Sequence, residues 1–459
     1  MSEAMQRRIA IIGAGFSGTA TAVQLLRQSD GRHLDIVLLE RGPEFGRGTA
    51  YAKGNFPYIL NVPAARMAAT RDDPGDFLRF AQRRNRDVTG EDFLPRALYG
   101  EYLNELLDGA IASAPNTVHL RRLRAEAIDV DVKSPRGPVR VALDGGGYVS
   151  AEFVVVASGV PPPRLPSSIR CTVQPPAIRR EPWADGKLLA GRGPMLILGT
   201  GLTMVDVVCE AIARHPDVEI HAISRHGLLP RDQTAFQAHT LQADDEPLCQ
   251  VAGSTRRLLA AVRRLARKAE QRGEDWREVI TLVRQASPSL WQSLSLAERQ
   301  RFLRHAQSYW DIHRHRLPAA VLARIEQLRQ SGQLVVHAGR IEAIQPLRDG
   351  VRTTWIPRGT ARREFLDAAE VVASTGPDYD VTRTTDRLWQ SLLSRGLAVP
   401  DELRLGIRTG GHGALIGDAG EASERLFYVG PMLRADHWEA TAVGELRVHA
   451  EVLASRLIR

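Results

Sequence analysis

Five short apolar runs, each closing on a glycine, set the rhythm of the chain. Residues 9–12 run into Gly13-Ala14-Gly15-Phe16-Ser17-Gly18, Phe153–Val156 into Ala157-Ser158-Gly159, and Met195–Leu198 into Gly199-Thr200-Gly201-Leu202-Thr203. Residues 371–373 lead into Ser374-Thr375-Gly376, and 426–429 into Gly430. Uninterrupted runs of this length predict strands buried on both faces, as in a parallel sheet. Helical patterns follow the first and third runs, over 19–27 and after Leu202, and further strands are expected at 34–39 and 218–223. Period-two alternation at 118–120, 127–132, 139–143 and Val149, with Gly145-Gly146-Gly147 as a turn, predicts an antiparallel meander. Asp72-Asp73-Pro74 reads as the start of a helix carrying Phe77, Leu78 and Phe80, and Arg96–Ala112 as another helix. A helical stretch is expected over 242–330, with segments at 255–268, 274–284 and 297–304. Strands then return at 334–336, 341–344 and 353–356, and a final helix runs to Leu457.

Two of the glycine turns carry candidate chemistry. In Gly13-x-Gly15-x-x-Gly18, the first glycine permits a tight turn and the second lets the backbone approach a pyrophosphate. The third lets the helix pack close to the strand. The helix N-terminus then aims its amides at the phosphates. Glu40, closing the second strand, is placed to accept hydrogen bonds from a ribose. The turn at Gly199 and Gly201 repeats the pattern with Met204 in place of the third glycine, which loosens the helix on its strand but leaves the phosphate turn intact. Its following strand ends in Ser224-Arg225-His226 and not in an acid. A carboxylate there would repel a 2′-phosphate, whereas Ser224 and Arg225 can bond one, so NADPH is expected over NADH. The fold class is therefore α/β, with two Rossmann-like dinucleotide-binding domains and a helical insertion in the second. Pro161-Pro162-Pro163, Pro166 and Pro175-Pro176 mark a domain crossing.

Other positions leave alternatives open. Gly46-Arg47-Gly48 can bring backbone close to a flat or phosphorylated ligand. Asn61, between an apolar run and Pro63, is either a turn residue bonding its own backbone or a ligand contact. The turn at Gly430 supplies either ordinary capping or amides for a cofactor. In the insertion, His313 and His315 are two residues apart and do not share a helix face, so a metal site is not expected. The segment around them is either a solvated helix end or part of a pocket for an anionic substrate or a cofactor.

Composition narrows the class. The 459 residues suggest two to three domains, and 43% hydrophobic with 25% charged residues suits a globular protein. Net charge is +8, and all but Lys53, Lys133, Lys187 and Lys268 of the 61 basic residues are arginine, spread without a basic stripe. Nucleic acid is not expected as a partner. Cys171, Cys209 and Cys249 are too far apart for a redox dithiol or zinc site, which excludes the chemistry of dithiol disulfide reductases. With neither a charged-then-apolar leader nor a membrane-length apolar run, a cytoplasmic protein is expected.

Gly13-x-Gly15-x-x-Gly18, Gly48-Thr49-Ala50-Tyr51, Leu60-Asn61-Val62-Pro63-Ala64, Gly199-Thr200-Gly201-Leu202-Thr203 and Trp438-Glu439-Ala440-Thr441-Ala442-Val443 together resemble the bacterial FAD/NAD(P)-binding group of the two-dinucleotide-binding flavoproteins. The likeness extends to N-hydroxylating flavin monooxygenases. It implies an FAD-binding domain over 1–170 and 340–459, interrupted by an NAD(P)H-binding domain over 171–339 that includes the insertion. It implies FAD with NADPH, NADH being the alternative, and cofactor contacts at Gly13, Gly15, Phe16, Ser17, Gly18, Glu40, Arg47, Gly48, Asn61, Ser158, Gly159, Thr375, Gly376, Gly430 and Trp438. NADPH contacts fall on Gly199, Gly201, Leu202, Thr203, Ser224 and Arg225. The implied reaction is N-hydroxylation of a small amine or amino acid with O₂ through a C4a-hydroperoxyflavin. Asn61 would face the flavin, and Arg304, Arg314 and Arg316 would hold a substrate carboxylate. Two alternatives stand beside it, a flavin reductase or dehydrogenase serving another acceptor and a non-catalytic FAD-binding sensor, since a fold alone does not fix a function.

Overall fold

Strand β1 (Arg7–Ile12) leads through the glycine turn into helix α1 (Phe16–Arg27), and β2 (Leu34–Glu40) pairs parallel to β1 with Ile9 opposite Ile36. Helices α2 (Asp76–Arg84) and α3 (Arg96–Ala112) precede β3 (Val118–Arg124), which joins the far side of β2. Strands β4 (Ala127–Asp131), β5 (Val139–Leu143) and β6 (Tyr148–Ala151) form the meander, and β7 (Phe153–Val156) lies parallel to β1 on its other side. Ile9 and Ile11 pack into a core shared with α1 and α3, while Ala10 and Ile12 enter the core on the meander side. Cover on both faces explains why β1 shows no alternation. Burying each such isoleucine contributes about 1.5–3 kcal/mol.

Three local expectations change. Helix α1 starts at Phe16, three residues earlier than the pattern suggested. Gly15 is the extended N-cap, and the missing side chain of Gly18 lets the first helical turn tuck under the Gly13 carbonyl. Helix α2 starts at Asp76 behind Gly75, and the Asp73 carboxylate accepts from the Gly75 amide while it pairs with Arg79. Residues 118–120 belong to the parallel sheet and not to the meander, since β3 pairs with β2 along its length.

The structure, a computed structural model, describes residues 7–29, 31–54, 56–132, 137–183, 193–234 and 248–459. It divides into one unit of residues 1–53, 57–161 and 379–459 and a second of 54–56 and 162–378. The second unit contains β8 (Arg170–Cys171), β9 (Ile178–Arg179), β10 (Met195–Leu198), α4 (Leu202–Arg214), β11 (Ile220–Ser224) and β12 (Asp232–Gln233). The insertion follows with α5 (Thr255–Gln271), α6 (Trp276–Ser293), α7 (Leu296–His305) and α8 (Gln307–Arg314); its expected start, 242–247, lies outside the described residues. Then come β13 (Leu317–Pro318), α9 (Ala319–Gln330), β14 (Leu334–Leu347), β15 (Gly350–Pro357), β16 (Glu364–Ala368) and β17 (Glu370–Ala373). The sheet order is β16-β15-β14-β11-β10-β17-β9, parallel from β14 to β9. Met195 and Ile197 face α4 and α9, whereas Leu196 and Leu198 face the hairpin side with Ile344 and Trp355. The strands expected at 334–336 and 341–344 are one strand, β14. Its first half pairs with β11 and its second half with β15, with an irregularity between Ile341 and Ala343. For that reason the chain leaves this unit at 378 and not near 340.

Back in the first unit, α10 (Arg387–Ser394) packs on the meander side, and β18 (Ala414–Ile416) and β19 (Ala422–Tyr428) complete the sheet in the order β18-β19-β7-β1-β2-β3. Helix α11 (Val443–Ile458) contributes to the core beside α1. Arg7 fastens the two ends of this unit by donating Nη1 to the Leu457 carbonyl at 2.8 Å. Among the described residues no helix is long and apolar enough to cross a membrane.

Candidate functional site

Each unit contains a glycine turn of the same construction. In the first, the Gly13 amide donates to the Leu39 carbonyl at 2.9 Å and the Ala157 amide to the Ile12 carbonyl at 2.7 Å. In the second, Gly199 donates to Ile223 at 2.8 Å and Ser374 to Leu198 at 2.8 Å. Both leading glycines have positive φ, +102° at Gly13 and +113° at Gly199. A side chain on Gly13 would sit 2.6 Å from the Ala157 carbonyl oxygen, and one on Gly199 would overlap that of Ser374. Only glycine meets both demands at once. The next helix has Gly15 or Gly201 as its extended N-cap, and among the described residues no side chain caps either helix. The first-turn amides of Phe16, Ser17 and Gly18, and of Leu202, Thr203 and Met204, therefore have no side-chain cap among the described residues. Such uncapped amides suit the oxygens of a pyrophosphate. A methyl on Gly201 would meet no protein atom within 4 Å, so the space over that turn is open. Both turns fit a dinucleotide pyrophosphate.

The residues closing the second strand of each unit do corresponding work. Glu40 Oε2 accepts from the Ala14 amide at 2.8 Å and Oε1 from the Gly42 amide at 2.8 Å. Glu40 thus holds the glycine turn in shape, and each oxygen keeps a second lone pair for a ribose. Ser224 takes that place in the second unit. Its Oγ accepts from the Gly227 amide at 2.9 Å and lies 2.9 Å from the Thr200 hydroxyl, which donates to the Leu228 carbonyl at 2.5 Å. A neutral hydroxyl does there what a carboxylate does in the first unit. Arg225 lies beside it, with Nη2 3.5 Å from Ser308 Oγ on α8. Met204 is fully buried in the core beneath α4, so its side chain fills the place left by the missing third glycine.

The other expected residues fall into groups. Gly48, at φ +54°, stacks its backbone on Gly15, where a side chain would lie 3.0 Å from the Gly15 Cα. The Gly46 amide donates to the Ala14 carbonyl at 2.8 Å. The 46–48 turn therefore buttresses the phosphate turn itself. Arg47 is buried, with Nε 3.0 Å from Glu44 Oε2 and Nη1 donating to the Ala97 carbonyl at 3.2 Å. Asn61 is half-buried in a segment laced to 90–96, where Leu60 donates to Leu94 at 2.8 Å and Ala64 to Asp92 at 2.9 Å. Gly159 and Gly430 meet at one side chain. The Tyr428 hydroxyl donates to the Gly159 carbonyl at 3.2 Å and accepts from the Met432 amide at 3.1 Å, and Gly430 packs against it. Burial pushes this phenol up, so it stays neutral. Ser158 Oγ accepts from Trp389 Nε1 at 2.9 Å. Thr375 Oγ1 donates to the Arg164 carbonyl at 3.2 Å, and Gly376 turns with φ +81°. Both belong to the second unit. The Trp438 ring is buried under the Arg434 guanidinium, 3.8 Å from its centroid.

The three insertion arginines do not share one environment. Arg304 is exposed on α7 and Arg314 half-buried at the end of α8, whereas Arg316 is buried with its guanidinium 5.9 Å from the centre of the Trp276 ring. His313 Nδ1 lies 2.7 Å from the Tyr309 carbonyl, and its ring meets Trp276 edge-on. Among the described residues no group of His, Cys, Asp or Glu is arranged to hold a metal ion. The sequence reading missed Trp389 and Tyr428, which support the first unit's turns, and Arg358, Ser308 and Tyr309, which stand near Ser224–His226. All reach the sites by tertiary pairing and carry no local motif.

Comparison with known proteins agrees with this geometry. Residues 10–161 match the family described as FAD-NAD(P)-binding. Over 98% of its length the chain is 23% identical to an uncharacterized protein of Mycobacterium tuberculosis, of which it covers 95%. Its fold is similar to that of L-lysine 6-monooxygenase from Pseudomonas syringae, with a TM-score of 0.65 at 17% identity over 98% of each chain. It is also similar to ornithine N-hydroxylase from Kutzneria sp. 744, solved with reduced FAD, NADP⁺ and L-ornithine. There the TM-score is 0.64 at 15% identity, over 98% of this chain and 99% of that one. The α/β architecture with two Rossmann-like folds is thus shared with these solved enzymes, and residues 10–161 carry the likeness to the FAD-NAD(P)-binding family.

Proposed function

We propose that this protein is an FAD-dependent, NADPH-using monooxygenase that N-hydroxylates a small amine or amino acid. One observation carries the reading. The chain builds two phosphate-cradling turns, one closed by the carboxylate of Glu40 and the other by the hydroxyl of Ser224 beside Arg225. The first suits the unphosphorylated ribose of FAD, and the second suits a ribose bearing a 2′-phosphate. The named activities of the lysine and ornithine N-hydroxylases that share the fold support the reaction class.

A bound flavin would supply hydride acceptance from NADPH and activation of O₂ for N-hydroxylation. The protein's own part is to bind and orient. The amides at Phe16–Gly18 hold the FAD pyrophosphate, while Glu40 keeps the turn in shape and receives the ribose. Tyr428 sets the Gly159 and Gly430 turns against one another. The amides at Leu202–Met204 hold the NADPH pyrophosphate. Asn61, kept in place by its tether to 90–96, faces the flavin, and the arginine-rich insertion receives the substrate's carboxylate, with Arg314 and Arg316 as its candidates.

Stopped-flow spectroscopy of the FAD-loaded protein tests the reading. NADPH is expected to bleach the flavin without air. Mixing with O₂ and an amine is then expected to give a transient band at shorter wavelength than oxidised flavin, followed by hydroxylamine. Reoxidation with no transient and no hydroxylamine would make the protein a flavin reductase. A flavin that NADPH leaves unbleached would make it a non-catalytic FAD binder.

A further inference from the structure

Most arginines with partners in this chain are paired with carboxylates, among them Arg8, Arg27, Arg277 and Arg352. Two at the end of β11 differ. Arg358, on the turn after β15, places Nη1 2.8 Å from His226 Nδ1, and Arg225 reaches the Ser308 hydroxyl. A guanidinium is always a donor, so His226 Nδ1 must accept, and the ring proton sits on Nε2. Burial, then Arg358, then Arg225 hold His226 below its usual range. The third group facing this imidazole is Tyr309 of α8, with ring centres 5.8 Å apart. Two cations thus converge on a neutral imidazole and a hydroxyl, beside Ser224.

The backbone fixes this corner. The Arg358 amide donates to the Ala338 carbonyl at 2.8 Å. A side chain on Gly227 would lie 3.1 Å from the Ala338 Cβ, so the turn after β11 presses on β14. The Arg231 amide donates to the Ile312 carbonyl at 2.9 Å, which ties α8 to the same region.

We propose that Arg358 is the residue that selects NADPH over NADH, with His226 holding its guanidinium in place until the adenosine 2′-phosphate takes it over. The inference rests on the NADPH reading above and adds its specificity determinant. On binding, Arg358 transfers its hydrogen bond from His226 Nδ1 to a phosphate oxygen. The freed Nδ1 then faces a dianion and takes one proton from solvent. The insertion contributes to this corner through Ser308 and Tyr309, and so serves the cofactor as well as the substrate.

The test uses adenosine 2′,5′-bisphosphate and 5′-AMP as probes, titrated calorimetrically into the full-length, FAD-loaded protein at pH 7.5. The wild type is expected to prefer the bisphosphate. Arg358→Ala is expected to weaken it by about 10- to 100-fold, the worth of one charge-assisted hydrogen bond, and to leave 5′-AMP within about twofold. Titrations in buffers of different ionisation enthalpy are expected to show proton uptake with the bisphosphate in the wild type and its loss in His226→Gln. Bisphosphate affinity unchanged in Arg358→Ala, or equal loss of both probes, would overturn the inference. So would proton uptake that survives in His226→Gln. A wild type that does not distinguish the two probes would instead remove the NADPH reading itself.

Discussion

Replacing Gly201 by alanine separates cofactor binding from folding. Gly201 is exposed and extended, with φ −86° and ψ −164°, and an added methyl would meet no protein atom within 4 Å. As an N-cap, alanine is poorer than glycine by about 0.5–1 kcal/mol. Lower entropy of the unfolded chain returns about 0.4–1 kcal/mol. The two nearly cancel, so the melting temperature should move by less than about 3 °C. The same methyl would stand in the space reserved for the pyrophosphate and push it off the Leu202–Met204 amides. Losing one such charge-assisted hydrogen bond costs about 1.5–3 kcal/mol, which corresponds to a rise of about tenfold or more in half-saturating NADPH. The assay is the anaerobic rate of flavin bleaching against NADPH concentration, with flavin content and a thermal melt as controls. Gly199→Ala is the contrast. Its methyl would overlap the Ser374 carbonyl at a φ of +113°, so the melt itself should fall. Half-saturation within twofold of wild type in Gly201→Ala would refute the pyrophosphate assignment.

Glu40→Ala removes the acceptor of two backbone amides, so both thermal stability and the FAD retained on purification should drop; a loss of flavin with an unchanged melt would mean that Glu40 serves the ribose alone. Tyr428→Phe strands the buried Met432 amide, at a cost of about 1–3 kcal/mol in chemical unfolding, and an unaltered unfolding midpoint would show that the turns do not depend on this hydroxyl. The His449 ring lies tilted against that of His437, centroids 4.7 Å apart, and burial followed by the charge of His437 pushes it down to about 4 from an ordinary value of 6.5. Because its folded value is depressed, its contribution is complete above pH 6.5 and lost as pH falls towards about 4. The wild type should therefore lose stability faster than His449→Gln across that window, and parallel pH profiles would contradict it.

The sequence made the strands legible because double cover removes alternation, and the glycine turns because they need glycine for steric reasons that any dinucleotide fold shares. What it concealed is tertiary. Residues 118–120 look half-buried whether they edge a parallel sheet or begin a meander, and only pairing with β2 decides. Asp73 reads as the helix cap, but the helix starts behind Gly75, and the pairing of Asp73 with Arg79 appears only in the fold. Glu40 was recognisable as a conspicuous acid, but its bonds to Ala14 and Gly42 follow from the turn's folded shape. Arg358 lies far along the chain from His226 and meets it only because β15 folds back on β14.

The interrupted chain order has a consequence for biosynthesis. As the polypeptide emerges from the ribosome, residues 162–378 are complete while the unit that began the chain still lacks β19 and α11. The edge of β7 must wait for Leu426–Tyr428 to arrive beside it, and α1 waits for the helix that completes its core. The unit started first thus matures last, the reverse of the usual amino-to-carboxyl sequence of domain folding. A stop codon falling between residues 379 and 421 would leave the inserted unit whole and the amino-terminal sheet with an open edge.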